Sequence, residues 1–134
     1  MDKKEILSFI TVNNIGYLAT VEGKSPRVRG MDTFRADEEG LIFYTDKSKN
    51  VCKQMIANPE VEICYYARGI QVRVRGKVEM VEDLALKKMI VSMRPFYGEM
   101  SEEDYNDMAI FRLKGKATTW TMKDGDAPAG FIDL

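Results

Sequence analysis

Apolar residues recur along this chain first at helical and then at strand spacing. Ile6, Phe9 and Ile10 lie three and four positions apart behind Asp2, which with Glu5 fits a capping box. The spacing predicts a first helix, ended by Asn14 and Gly16. Gly16 to Val21 reads as a short strand, Glu22-Gly23-Lys24 as a turn, and Pro26 opens a longer strand over Arg27 to Arg35. On that strand Arg27, Arg29, Met31 and Thr33 share one face, and Val28, Gly30, Asp32 and Phe34 the other. A glycine inside a strand marks a bulge or a close approach of backbone or ligand. Asp37 to Gly40 is a hairpin turn and Leu41 to Thr45 the next strand.

Ser48 is placed to cap a helix running to Ala57, with Val51, Cys52, Met55 and Ile56 inward and Asn58-Pro59 as its stop. Val61 to Tyr66 and Ile70 to Val81 form a hairpin about Ala67-Arg68-Gly69. In its second arm Val72, Val74, Val78 and Met80 point one way. Gln71, Arg73, Arg75, Lys77 and Glu79 point the other. Glu82-Asp83 opens a third helix, with Leu86, Met89, Ile90 and Met93 at helical spacing and Pro95 at its end. Phe96 to Asp107 reads as a loop, Met108 to Lys114 and Lys116 to Met122 as strands. Asp124 to Gly130 reads as a turn-rich tail before Phe131-Ile132. The strand connections are too short for crossover helices, so the sheet is antiparallel. The expected fold is one domain over residues 1–134. It is mainly β (α+β), a small closed or split antiparallel β-barrel of six to seven strands with flanking helices.

Composition narrows the chemistry. A net charge of -1 gives no electrostatic footprint for nucleic acid, even with Arg73 and Arg75 on one strand face. No apolar run approaches membrane-spanning length, and the first residues lack the apolar segment of a secretory signal, so a cytoplasmic location is expected. Cys52 and Cys64 are expected to be buried reduced thiols, one on a helix and one on a strand. There is no histidine, which removes Ser-His-Asp and Cys-His catalysis and imidazole-ligated zinc or haem. No metal site and no catalytic side chain is identified. Chemistry must come from other groups or from a bound cofactor.

Two stretches suit a phosphate. Asp46-Lys47-Ser48-Lys49-Asn50 stands at a strand-to-helix junction, where unpaired amides and two lysines favour an anion. It also fits a plain solvated basic turn. Arg27 and Arg29, two residues apart on one face, suit a bidentate grip, or an exposed face paired with acids such as Glu62 or Glu79. A short hairpin would set Arg29 beside the strand ending at Tyr44-Thr45 and so bring the two stretches together. Gln71 could meet the polar edge of a heterocycle or simply face water. Trp120 could stack on a flat ring or fill a core or subunit interface.

In order and spacing, seven segments resemble the pyridoxamine-phosphate-oxidase-like FMN-binding split barrels, over roughly Ile15 to Glu82. They are Gly16-Tyr17-Leu18-Ala19-Thr20, Pro26-Arg27-Val28-Arg29, Phe43-Tyr44-Thr45, Ser48-Lys49, Gln54-Met55, Asn58-Pro59-Glu60-Val61 and Gln71 to Gly76. Within the family the chain most resembles the small clostridial and nitroimidazole-resistance-like flavoproteins. The resemblance implies a homodimer with FMN at its interface, acting as an oxidoreductase on a small molecule with an electron donor such as NAD(P)H. Its alternative is a non-catalytic flavin-binding or redox-sensing module. It implies that Arg29, with Ser48, Lys49, Asn50 and as a second candidate Arg27, holds the phosphate. Gly30, Met31 and Asp32 would run along the ribityl and ring, Tyr44 and Thr45 would line the pocket, and Gln71 would approach the isoalloxazine. Trp120 has no counterpart in the resemblance and is set near the flavin only for its flat ring. The family's true oxidases carry an arginine and histidine motif near the C-terminus. This chain has no histidine and no arginine after Trp120, so pyridoxine-phosphate oxidation is not expected. The nitroimidazole-resistance relatives often place a histidine near the flavin, which is also missing here.

Overall fold

The computed structural model describes residues 1–123, 125 and 130–134. The elements run α1 (Lys3–Val12), β1 (Ile15–Glu22), β2 (Ser25–Asp37), β3 (Gly40–Asp46), α2 (Asn50–Ala57), β4 (Glu60–Ala67) and β5 (Ile70–Val81). They continue through α3 (Leu84–Ser92), a 3-10 turn (Pro95–Tyr97), α4 (Glu102–Asp107), β6 (Met108–Leu113), β7 (Lys116–Thr121) and β8 (Ile132–Asp133). The strands follow the order β4-β1-β2-β3-β6-β5, and a β4–β5 pairing closes the ring into a six-stranded antiparallel barrel. β7 branches from β5 and β8 from β7. Most of the expected Asp124 to Gly130 tail lies outside the described residues.

β2 bends to serve two neighbours. Its first part pairs with β1, its end pairs with β3, and the register shifts between Thr33 and Arg35. The bulge therefore falls at Phe34, not at Gly30, which stays in regular register with Tyr17. A side chain at position 30 would meet nothing within 4 Å, so this glycine leaves the outer wall open.

Strand alternation explains a two-layer core. From β3, Leu41 and Phe43 point into the barrel with Leu18, Ile63, Val72, Val74, Phe111 and Leu113, under α1 (Ile6, Phe9, Ile10) and α2 (Val51, Cys52, Met55). Ile42 and Tyr44 point outward and pack under α3 with Leu86, Ile90, Met108 and Ile110. On α3 Met89 is exposed, as is Met93 at its C-cap, and Lys87 is buried in their stead. The helix has turned so that the Lys87 ammonium can donate to the Tyr105 carbonyl at 2.8 Å. The expected Phe96–Asp107 loop holds the 3-10 turn and α4, whose Ser101–Asp104 capping box satisfies its first amides. Cys52 is buried on α2, but Cys64 on β4 is only half-buried; both thiols are free. Among the described residues no helix is long and apolar enough to cross a membrane.

Candidate functional site

Arg29 leaves β2 opposite Leu18 of β1, and its guanidinium reaches over the barrel wall to α2. It donates to the Leu18 carbonyl at 3.2 Å, to Thr20 Oγ1 at 2.7 Å and to Gln54 Oε1 at 2.6 Å. All three partners are neutral. Burial, then the charge of Arg27, lowers the Arg29 pKa, and no carboxylate among the described residues pairs with it. Arg29 does not run beside β3, because β2 changes partners only after the bulge. It meets α2 instead at Gln54, four residues or about 6 Å along the helix from Asn50.

Gln54 holds this corner together. It is 6% exposed, accepts from the Thr20 hydroxyl at 2.6 Å and donates to Glu22 at 3.1 Å. It takes the inward position expected of Ile56, which is 63% exposed. The reason is chemical: Thr20 and Arg29 present donors there that an isoleucine would leave unpaired. A cleft of about 430 Å³ adjoins this corner, lined by Glu22, Gly23, Lys53, Gln54 and Asn58 among others. A larger cavity of about 760 Å³, walled by β4, β5 and the β6–β7 turn, contains none of the predicted site residues.

The turn before α2 is not a bare basic loop. Ser48 does not cap the helix; Lys49 stands at the N-cap with no side-chain bond. The Ser48 amide and hydroxyl are both taken by the Asp107 carboxylate, at 3.2 and 3.0 Å. Lys47 pairs with Glu82 at 3.4 Å and Lys49 with Asp46 at 3.9 Å, all at the surface. Burial first, and then repulsion from Asp107 and Asp104, raises the Asp46 carboxyl against the pull of Lys49. Arg27 is exposed and pairs with Glu22 at 3.1 Å. The acids expected opposite it serve other arginines: Glu62 holds Arg73 and Glu79 holds Arg112.

A second polar cluster lies where β2 and β3 run under the end of α3. The Asp32 carboxylate accepts from Arg94 Nε at 2.6 Å and Nη2 at 3.3 Å, from Asn14 Nδ2 at 2.8 Å and from the Tyr44 hydroxyl. Burial alone would raise the Asp32 carboxyl. The hydrogen bonds of Arg94, Tyr44 and Asn14 and the Arg94 charge outweigh it and hold the group below its usual range. Burial and the adjacent carboxylate push the Tyr44 phenol far up, so Tyr44 stays protonated. Tyr97 packs beside Tyr44, and its phenol is pushed up to about 12, chiefly by burial. Met31 and Thr45 are buried, so only their backbone can face a ligand there. Gln71 and Trp120 are register partners on β5 and β7, and the Trp120 indole donates to the Gly125 carbonyl. Across the wall the register runs Gly30–Tyr17–Cys64–Arg73, three strand spacings or roughly 14 Å. One protomer therefore brings Arg29 to α2, and Asp32 to Tyr44, while Gln71 and Trp120 stand apart.

Four contributors were not among the expected site residues: Gln54, Arg94, Asn14 and Asp107. Gln54 had a usable signal, a polar residue on the apolar face of a short helix. Arg94 and Asp107 had none, since their partners lie 62 and 59 residues away.

Residues 2–124 match the sequence profile of the pyridoxamine 5'-phosphate oxidase family. The chain belongs to that family. Curated relatives agree over a limited stretch. A pyridoxine/pyridoxamine 5'-phosphate oxidase of Gluconobacter oxydans is 34% identical over 65 residues, 47% of this chain and 32% of the relative. One of Agrobacterium fabrum is 32% identical over 84 residues, 60% of this chain and 41% of the relative. The chain thus spans well under half the length of these two oxidases. A crystal structure of a NimC/NimA family protein from Clostridium acetobutylicum superposes with a TM-score of 0.80 at 29% identity, covering 98% of this chain and 93% of that one. The six-stranded barrel with flanking helices is thus a pyridoxamine-phosphate-oxidase-like fold.

Proposed function

We propose that this chain is a flavoprotein that binds FMN, with the phosphate anchored by Arg29 and the start of α2. The observation that carries this reading is the Arg29 guanidinium, fixed by three neutral acceptors, with no carboxylate within 4 Å among the described residues. The residues present suit the cofactor. A cation that pairs with no carboxylate among the described residues stands one turn from an α2 N-cap that lacks a side-chain bond, and Lys49 and Asn50 supply further donors. Family membership supports the same reading, as does a structural neighbour from Mesorhizobium loti described as a FAD-binding protein, with TM-score 0.67 at 20% identity. Bound there, FMN would supply one- and two-electron transfer to or from a small molecule.

The protein's own residues then bind and orient. Gly30 leaves the outer wall of β2 open to a flat ring, and the main chain from Gly30 to Asp32 offers polar groups along it. Tyr44, kept protonated by burial and by Asp32, is fixed as a hydrogen-bond donor and does not serve as an acid near neutral pH. Arg27, Ser48, Thr45, Gln71 and Trp120 complete the proposed set. Because Gln71 stands three strand spacings from β2, and Trp120 four, a second copy of the chain is the proposed source of that pair. The exposed apolar face of β1, β2 and β4, carrying Tyr17, Val28 and Tyr66, is the surface proposed for that copy.

The test is the visible spectrum of the purified protein and calorimetric titration with FMN. No flavin bands and no heat of binding would refute the reading. Reduction by NADH or NADPH, followed by a screen of electron acceptors, separates an oxidoreductase from a binding module. For the dimer, Val28→Asp places a carboxylate on a side chain that is 70% exposed in one copy. Sedimentation velocity is expected to show the parent as a dimer and this variant largely as a monomer with unchanged circular dichroism. A parent that sediments as a monomer at every concentration would rule the assembly out.

A further inference from the structure

The turn before α2 already holds an anion, and the chain itself supplies it. Asp107 ends α4, and its backbone is pinned: the Lys47 amide donates to its carbonyl at 2.6 Å, beside the Asp46–Met108 register pair of β3 and β6. From that fixed point the carboxylate reaches the turn before α2. Oδ1 accepts from the Ser48 amide at 3.2 Å and Oδ2 from the Ser48 hydroxyl at 3.0 Å. One carboxylate thus occupies both donors that a phosphate would use at Ser48. α4 is anchored behind it, through the Ser101–Asp104 capping box and through the buried Lys87 ammonium on the Tyr105 carbonyl. Asp46 and Asp104 add negative charge to the same corner, while Lys47 and Lys49 bring the cations.

We propose that Asp107 is a specificity-determining residue of the flavin site, an internal carboxylate that competes with the ligand's phosphate for the Ser48 amide and hydroxyl. This rests on the FMN reading given above. Since the Asp107 backbone is held by Lys47, the phosphate displaces the carboxylate by rotating the side chain alone. The displacement breaks two hydrogen bonds and leaves a carboxylate beside a dianion, so FMN is held less tightly than the cations alone would hold it. A flavin without a phosphate leaves Asp107 in place and gains or loses nothing from it.

The experiment is calorimetric titration of the flavin-stripped full-length protein and its Asp107→Ala and Asp107→Asn variants with FMN and, separately, with riboflavin. D107A is expected to bind FMN about five- to tenfold more tightly, with riboflavin affinity unchanged. D107N is expected to gain less, because its carboxamide oxygen still accepts from the Ser48 amide. The gain should vanish when Ser48→Ala is added to D107A. Equal or weaker FMN binding by both variants, with riboflavin affinity and melting temperature at parental values, overturns the inference and makes Asp107 a support for Ser48. If D107A does not fold, the near-isosteric D107N carries the comparison. A parent that binds neither flavin removes the FMN reading and this inference together, whereas a parent that binds FMN with unaltered variants removes this inference alone.

Discussion

Replacing Asp32 by alanine destabilises the protein by about 3 kcal/mol, the larger of two effects expected here on the fold or the ligand. One carboxylate accepts four hydrogen bonds, two of them from Arg94. Both members of that ion pair are largely covered, with 20% and 22% of their side-chain surface exposed. Removing the anion strands a guanidinium, a phenol and a carboxamide at once, and a stranded group costs more than the bond it formed is worth. For a chain of this size the melting temperature should fall by roughly 10 °C. The effect has a pH signature. The folded-state pKa of Asp32 lies below its unfolded value, so its stabilisation is complete above the unfolded value near about 4 and disappears as pH falls through the folded one. Chemical denaturation at neutral pH and in acid should therefore show the gap between parent and Asp32→Ala closing in acid. A gap that is small, or that widens in acid, would mean that the cluster is not held by charge.

Arg29→Ala is expected to weaken FMN binding by about 1.5 to 3 kcal/mol, the range for a hydrogen bond to a charged group, or about 10- to 150-fold in Kd. Arg29→Lys should fall between, since an ammonium keeps the charge but cannot make the forked contact. The alanine variant also frees Gln54 and Thr20 from a shared partner, so a modest loss of about 1 kcal/mol in folding stability should accompany it. Titrations at a temperature well below both melting points separate the two effects. Parental FMN affinity in Arg29→Ala would place the phosphate elsewhere.

The barrel was legible because its signals are local. Alternating residues in β2 and β5, the capping box of α1 and the proline after α3 each act within a few positions. What resisted was long-range. The helical spacing of Met89 and Met93 suggested an apolar face, but the face that packs is chosen by a partner on α4, the Tyr105 carbonyl, and so Lys87 went inside. The phosphate stretches were recognisable as basic residues near a helix start. That Ser48 is engaged by Asp107, and Arg29 by Gln54, depends on how distant segments fold against each other. Composition could suggest an anion seat without revealing that the chain carries an anion of its own to place beside it.

β3 lies between β2 and β6, and its residues from Leu41 to Thr45 are buried on both faces. Its amides are shielded from solvent by strands on either side and by packed side chains above and below. Only loss of the whole structure would release them, so β3 sets the upper limit of protection against deuterium exchange. The same enclosure fixes the base of Tyr44 and of the turn that leads to α2. Local opening at the α2 turn can therefore occur without loosening the platform from which the residues of the proposed flavin site project.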